Sequence, residues 1–414
     1  MTRRPRVLLA SRIFVPEAAA ATFRLRALVS ALAPRADVEV LTTRPPPALR
    51  SGDRERPDDL PAGVRVRRWP ALRDATGYVR GYLPYLSFDL PLVLRLLVAG
   101  RPDVVVVEPP PTTGAVVRAT LALRSLVGGP VPYVYYAADV WSDATASMGA
   151  PGPVVAAMRT LERFALRGAR DVVAVSEGVA DRVGVLAGGR TTVTVVPNGV
   201  DTAVFTPEGP VHPEASATPY LVYAGTASEW QGAEIFARAM PHVLAELPSA
   251  RLVFVGQGSS WAALAQVRDE LPPGALELRP LAPPAEAAAW QRGAAAALVS
   301  VRPGIGYDFA YPTKVLAALA CGTPVVHAGP GPAGEDVRTH RLGEAVPYDV
   351  EQVAAAMVRA LRADPDADPA DGSGRARRAA WVRTHRSLTA TGRRVADLVL
   401  GTRCDDGPAS PSMG

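Results

Sequence analysis

Lysine is nearly missing from this chain. Of its 45 basic side chains only Lys314 is a lysine, so 44 are arginine. A GC-rich genome replaces lysine by arginine wherever the two are interchangeable. They are not interchangeable in a tight anion pocket, where a compact ammonium fits and a broad planar guanidinium does not. A chance survivor on the surface is the bland alternative; the motif around Lys314 speaks for function. Cysteine is scarce as well. Cys321 falls in a predicted buried helix and Cys404 in a polar tail, which excludes a disulfide framework and a thiolate metal spacing. The five histidines all lie from His212 onward and form no pair that reads as a metal site. No metal ligands are assigned, and no cofactor is expected. No apolar run is long enough to span a bilayer. Val7–Ala10 is too short for the apolar part of a signal peptide, and Arg12 breaks the run soon after it, so a cytoplasmic protein is expected. A basic stripe interleaved with aromatics is missing too, which argues against nucleic acid as a partner.

What is present is ordinary in amount and uneven in placement. Nearly half of the 414 residues are apolar and about a fifth are charged, enough for a large core divided between two domains. Residues 1–200 carry 26 basic and 17 acidic side chains, a net +9; residues 201–414 carry 19 and 23, a net −4. A basic first half suits an anionic partner, either a phosphate-bearing acceptor or an anionic membrane surface.

Short apolar runs alternate with helical segments along the whole chain. Arg6–Ala10, Val38–Leu41, Val64–Arg68, Val104–Val107, Tyr133–Tyr136 and Asp171–Val175 read as strands, and Thr192–Pro197 closes the first half. After a Pro-rich connection over 206–219 a second cycle begins: Tyr220–Ala224, Arg251–Val255, Leu276–Leu278, Ala297–Val301 and Thr323–Val326. Continuous apolar strands joined by helices mean α/β units with parallel sheets covered on both faces. Tyr78–Ala99 is helical and rich in aromatics; its two prolines argue against one long surface helix. Packing in the core is the favoured reading there, a membrane interface the other.

In such sheets ligands gather beyond the strand C-termini. Four loops qualify: Gly225-Thr-Ala-Ser-Glu-Trp-Gln-Gly232, Gly256-Gln-Gly258, Pro303–Lys314 and Gly329-Pro-Gly-Pro-Ala-Gly-Glu335. Together they resemble the nucleotide-sugar half of a GT-B glycosyltransferase, and their linear order is similar to family 4. Val195-Val-Pro-Asn-Gly-Val-Asp201 with Phe205, and Pro312-Thr-Lys314 with Ala320-Cys-Gly-Thr-Pro-Val-Val326, are the most specific phrases. Phe14-Val-Pro-Glu with Phe23-Arg-Leu resembles the family's opening loop and helix, while Pro109-Pro-Pro-Thr-Thr-Gly114 and Ala138-Asp139-Val-Trp141 resemble a subgroup that builds bacterial polysaccharides or natural products.

The resemblance implies two Rossmann-like domains facing a central cleft. Residues 1–200 would bind the acceptor and 201–375 the nucleotide sugar. A helix over 376–400 would cross back to the first domain, and 401–414 would be a disordered tail. The implied activity is retaining, metal-independent transfer of a hexose or related sugar to a hydroxyl acceptor. Lys314 and Asp139 are the expected catalytic groups: Lys314 neutralises the leaving diphosphate, and Asp139 bonds the sugar or orients the acceptor. Gly225, Thr226, Gln231, Gly256, Gly258, Arg302, Asp308, Thr313 and Glu335 are assigned to the donor side, Glu108 and Arg24 to the acceptor side. The expected acceptor is a small molecule or a lipid-linked glycan, and a peripheral contact at the inner membrane face is left open.

This chain also departs from the family pattern. The glutamate that holds the ribose is replaced by Ala317, and a glutamate eight residues earlier by Phe309. The family's donor loop commonly offers an arginine and a lysine to the diphosphate; here Glu229 and Gln231 stand nearby. Asp308, Glu335 or Ser300 would have to compensate. Two other readings therefore compete: a non-catalytic relative that partners or regulates another transferase, and a nucleotide-sugar 2-epimerase. The latter needs histidine near the sugar, and the first half has none.

Overall fold

Strands that are apolar along their whole length need cover on both faces, and this chain builds two sheets that receive it. A computed structural model describes residues 3–17, 20–46, 60–74, 79, 81–147, 149–215, 218–363 and 374–402. The chain divides into two compact units: Met1–Asn198 with Leu388–Gly414, and Gly199–Ser387.

Unit 1 begins with β1 (Arg6–Ala10), α1 (Ala20–Leu32), β2 (Asp37–Thr43), β3 (Arg65–Trp69), α2 (Tyr82–Val98), β4 (Val104–Val107) and α3 (Pro111–Gly128). It continues with β5 (Tyr133–Ala137), α4 (Trp141–Ser147), α5 (Gly152–Gly168), β6 (Asp171–Ala174), α6 (Glu177–Ala187) and β7 (Thr192–Val195). Its seven parallel strands run in the order β3-β2-β1-β4-β5-β6-β7. Alternate strand residues feed opposite cores. Val7 and Leu9 pack with α1, while Leu8 and Ala10 pack with α2, α3, α5 and α6. The four valines of β4 are all buried, which is why that strand was the plainest in the sequence.

Unit 2 begins with β8 (Tyr220–Thr226), α7 (Glu234–Glu246), β9 (Arg251–Gln257), α8 (Trp261–Glu270), β10 (Leu276–Arg279), α9 (Pro284–Gly293) and β11 (Ala296–Ser300). Then come α10 (Lys314–Ala320), β12 (Val325–Ala328), α11 (Pro332–Thr339), β13 (Gly343–Val346), α12 (Val350–Arg362) and α13 (Gly374–His385). Six parallel strands run in the order β10-β9-β8-β11-β12-β13. The edge strand β13 was not anticipated: Gly-Glu-Ala-Val is short and mixed in polarity, and is only partly buried.

Two expectations are corrected. The single helix expected over 376–400 is two, α13 in unit 2 and α14 (Leu388–Leu400) in unit 1, where α14 packs on α1. The break at Arg386 and Ser387 has a partner: Val200 donates its N–H to the Arg386 carbonyl (2.8 Å) and bridges to Ser387. Tyr82–Val98 is one helix despite its prolines. Pro84 sits in the first turn, where the backbone N–H has no helical acceptor anyway. Pro91 forgoes one interior hydrogen bond, and the burial of Phe88, Leu92 and Leu96 holds the helix across it. The expected loop over 50–63 and the tail lie almost wholly outside the described residues.

Candidate active site

In each unit the strand order reverses at one point, between β8 and β11 in unit 2 and between β1 and β4 in unit 1. Such reversals leave a crevice at the strand C-termini where ligands bind. The loops after β8, β9, β11 and β12 all emerge at that end of unit 2.

Lys314 opens α10 there. Its Nζ lies 5.4 Å from the centroid of the Tyr223 ring. Gly225 adopts φ +122°, and a Cβ at that position would stand 3.0 Å from Lys314 Cε and 3.6 Å from Nζ. Gly225 thus keeps the space that lets the lysine lie along β8. Burial pulls the ammonium down to about 8 from 10.5. No hydrogen bond or ion pair reaches it among the described residues, so an unpaired cation faces the reversal point.

The other glycines serve the scaffold. A Cβ on Gly256 would meet the Gly225 carbonyl at 2.0 Å, and one on Gly258 the Ala227 carbonyl at 2.1 Å. Both let β8 and the turn after it approach β9, whose pairing runs through Gly225–Gly256 and Thr226–Gln257. Gln231 is buried, with its side-chain carbonyl accepting from Ser228 N (3.1 Å), Ser228 Oγ and the Tyr223 hydroxyl (both 3.2 Å). That oxygen braces the turn from within. Thr226 is exposed at the end of β8, and its carbonyl accepts from the same hydroxyl.

The loop after β11 carries Arg302, Asp308 and Thr313, and α11 after β12 carries Glu335. Asp308 accepts from the Gly304 N–H (3.1 Å) and so closes its own turn. Arg302, Thr313 and Glu335 are exposed, Glu335 in the first turn of α11. Ser300 ends β11 with its hydroxyl buried and unpartnered. Ala317 is buried among Val315, Leu316 and Leu319. Phe309 is exposed. Sequence reasoning missed an aromatic pair: Trp230 after β8 stacks on Tyr307 after β11, centroids 5.4 Å apart, while Arg302 N donates to the Trp230 carbonyl. Both residues stood in glycine-bounded loops, but nothing local showed that the loops meet.

In unit 1 the reversal is lined by a closed ion pair. Glu108, just after β4, accepts from Arg24 Nη2 and from Ser11 Oγ, each at 3.0 Å. Glu108 and Arg24 are both buried, and the Arg24 guanidinium lies over the Tyr136 ring. The structure brings Asp139 near this pair. Asp139 presents surface to solvent, yet the protein around its carboxyl withdraws enough water to raise it above the usual carboxylate range; Arg24 opposes the rise and Glu108 adds to it. The turn bearing Asp139 is tied by Glu162 of α5, whose buried carboxylate accepts from Trp141 N (2.8 Å) and Ser142 N (3.0 Å). Arg12 was also missed. Its guanidinium sits over the Tyr85 ring at 4.5 Å and the Trp141 ring at 5.2 Å, and donates to the Val79 carbonyl.

Residues 20–199 match the glycosyl transferase 4-like domain, and residues 218–363 match glycosyl transferases group 1. This chain belongs to the family 4 glycosyltransferases of GT-B fold. Among curated proteins none matches this glycosyltransferase in sequence. Solved structures match in fold. Sucrose-phosphate synthase from Thermosynechococcus elongatus is 17% identical with a TM-score of 0.69, covering 96% of this chain and 99% of its own. HepE from Anabaena, in complex with UDP and glucose, is 16% identical with a TM-score of 0.64, covering 95% and 99%. A glycosyltransferase from Rickettsia africae is 13% identical with a TM-score of 0.68, covering 97% and 100%. In this glycosyltransferase no group of three His, Cys, Asp or Glu residues able to hold a metal occurs among the described residues, and no described helix is long and apolar enough to cross a membrane.

Proposed function

We propose that this glycosyltransferase moves a hexose or related sugar from a nucleoside-diphosphate donor to a hydroxyl of a small-molecule or lipid-linked glycan, with retention and without a metal. Lys314 carries the reading. A half-buried ammonium with no anionic partner is costly unless a ligand supplies the charge, and a diphosphate supplies it. Among the structural neighbours, HepE from Anabaena was solved in complex with UDP-glucose and an E. coli protein with UDP-2-fluoro glucose bound, which supports a donor of this class.

In the proposed transfer the bond between the sugar's anomeric carbon and the diphosphate oxygen breaks, and the bond to the acceptor oxygen forms. Negative charge grows on the diphosphate, where Lys314 neutralises it as it develops. The hydroxyl proton passes from the acceptor to an oxygen of the departing diphosphate. Asp139 in unit 1, its carboxyl raised in affinity for protons, is the group assigned to orient that hydroxyl. Trp230 and Tyr307 offer a ring surface for the base, and the exposed Thr313 and Glu335 offer polar contacts in place of the glutamate absent at Ala317.

The test is a panel of nucleoside diphosphates scored by thermal stabilisation, and then turnover with the sugar nucleotide of the base that binds. The parent is expected to be stabilised by one base. Lys314→Ala is expected to lose that shift and about 10²–10³-fold in turnover, and Lys314→Arg to stay impaired because the fork cannot fill a point-charge site. An arginine variant with parental turnover, or a parent that no nucleotide stabilises, would sink the reading.

A further inference from the structure

On one face of the unit 1 sheet the helices α2, α3 and α5 lie side by side, and their outward surface is unusual for a water-soluble protein. Every exposed side chain described on α2 is leucine or valine. Leu83, Leu86, Leu90, Leu94 and Leu97 recur at the spacing of a single helical stripe, with Leu83 69%, Leu90 65% and Leu94 62% exposed. Amphipathic surface helices normally point polar residues outward. Here the inward face is also apolar, with Phe88, Leu92 and Leu96 buried beneath. The neighbouring α3 repeats the pattern at its exposed end, where Leu126 is 80% and Val127 95% exposed beside Leu123. An apolar patch spanning two helices marks an interaction surface.

The charge around the patch has one sign. Asp89 of α2 and Glu162 of α5 are buried, and α3 has no acidic residue, so these three helices expose no carboxylate. The solvent-accessible charge on α3 and α5 is arginine instead. Arg124 binds the carbonyls that end α2, and Arg118 of α3 stands over the Phe164 ring at 4.2 Å. Arg163 and Arg167, one turn apart on α5, are exposed and form no ion pair among the described residues.

We propose that the α2–α3 face seats this protein on a bilayer surface containing anionic lipid, with the leucines entering the acyl boundary and the α5 arginines reaching the phosphates. A bilayer satisfies both features at once: apolar area drives insertion and cations add affinity for anionic headgroups. Long arginine stems can lie along the apolar layer while their heads stay at the phosphate level. A second copy of the chain fits less well. A self-complementary contact sets like patch against like, and this patch holds no carboxylate to meet the arginines. The inference stands apart from the proposed sugar transfer, since binding is read without any substrate.

The test is flotation of the purified full chain with vesicles of phosphatidylcholine alone and of phosphatidylcholine mixed with phosphatidylglycerol, at low and high salt. The parent is expected to float with the anionic vesicles and to be released in part by salt, which screens the charge contribution. Leu90→Glu combined with Leu94→Glu is expected to abolish flotation while melting at the parental temperature, because both side chains are exposed. Arg163→Glu combined with Arg167→Glu should weaken anionic binding by at least about five-fold per arginine. A parent that stays free of both vesicle types overturns the proposal, as does a leucine double variant that floats like the parent. A parent that is dimeric in solution, floats with neither vesicle and turns monomeric on the leucine substitutions would assign the face to self-association instead.

Discussion

The two sheet-reversal points handle charge in opposite ways. In unit 1 the position beyond β4 holds Glu108, already satisfied by Arg24 and Ser11 and sealed from water. In unit 2 the corresponding region holds Lys314, with no such partner among the described residues and its ammonium pulled down to about 8. A closed pair is insensitive to an arriving charge, because its own electrostatics are spent. An unpaired cation gains most from an arriving anion. The same fold feature thus holds a satisfied ion pair in one unit and, among the described residues, an unpaired cation in the other.

Breaking the closed pair should give the largest effect. Arg24→Met leaves the Glu108 carboxylate buried without its cation, a change that costs about 3–5 kcal/mol. Chemical denaturation should show that loss, and a change below about 1 kcal/mol would mean that water already reaches the pair.

The unpaired cation should behave in the reverse sense. With the folded-state value near 8 and the unfolded value at 10.5, the ammonium is charged in both states below about pH 8, and the folded state then bears the whole cost of burying it. Between pH 8 and 10.5 the folded protein releases the proton while the unfolded chain keeps it, so this cost is relieved as pH rises. Lys314→Met should therefore stabilise the ligand-free protein by roughly 2–3 kcal/mol below about pH 8, and the gain should shrink toward pH 10.5. Nucleotide affinity should move the other way, strongest below about pH 8 and falling by up to about ten-fold per unit above it. Melting curves and titrations across this range check both signs. A destabilised methionine variant would show that the ammonium has a partner after all.

The smallest change converts one arrangement toward the other. A glutamate at 317 stands three residues beyond Lys314 on α10, within reach of it. At this buried position pairing and desolvation oppose each other, so Ala317→Glu should change the stability of the ligand-free protein by less than about 1 kcal/mol and shift the pH transition upward. Loss of stability with no shift would show that the new carboxylate is buried away from Lys314.

Much of this was legible in the residues. Strand runs such as Val104–Val107 read correctly because a parallel strand covered on both faces needs apolar side chains at every position. Where a strand ends in a half-polar edge, as at β13, that signal fades. Lys314 stood out by rarity, and its motif placed it at a loop-to-helix junction. The glycines were harder. Gly256 and Gly258 stood in a loop assigned to the donor, and the atoms that would collide with a Cβ at either belong to β8 and the turn after it. Gln231 looked like a polar contact for the donor, and its carbonyl turned inward to brace the turn. The partner of a polar atom in such cases is set by a strand or loop far away in sequence.

The sequence by itself determined the strand–helix alternation up to the edge strand β13 and the break between α13 and α14, the division into two α/β units and the singular position of Lys314, because periodicity, apolar runs and residue rarity are local properties of the chain. Only the tertiary structure decided that Arg24 closes on Glu108 across 84 residues, that Gly225 makes room for Lys314, that Trp230 meets Tyr307, and that the leucines of α2 face outward. Each of these depends on which distant surface a residue packs against, and a local pattern records that a side chain is apolar or charged without recording what it will meet.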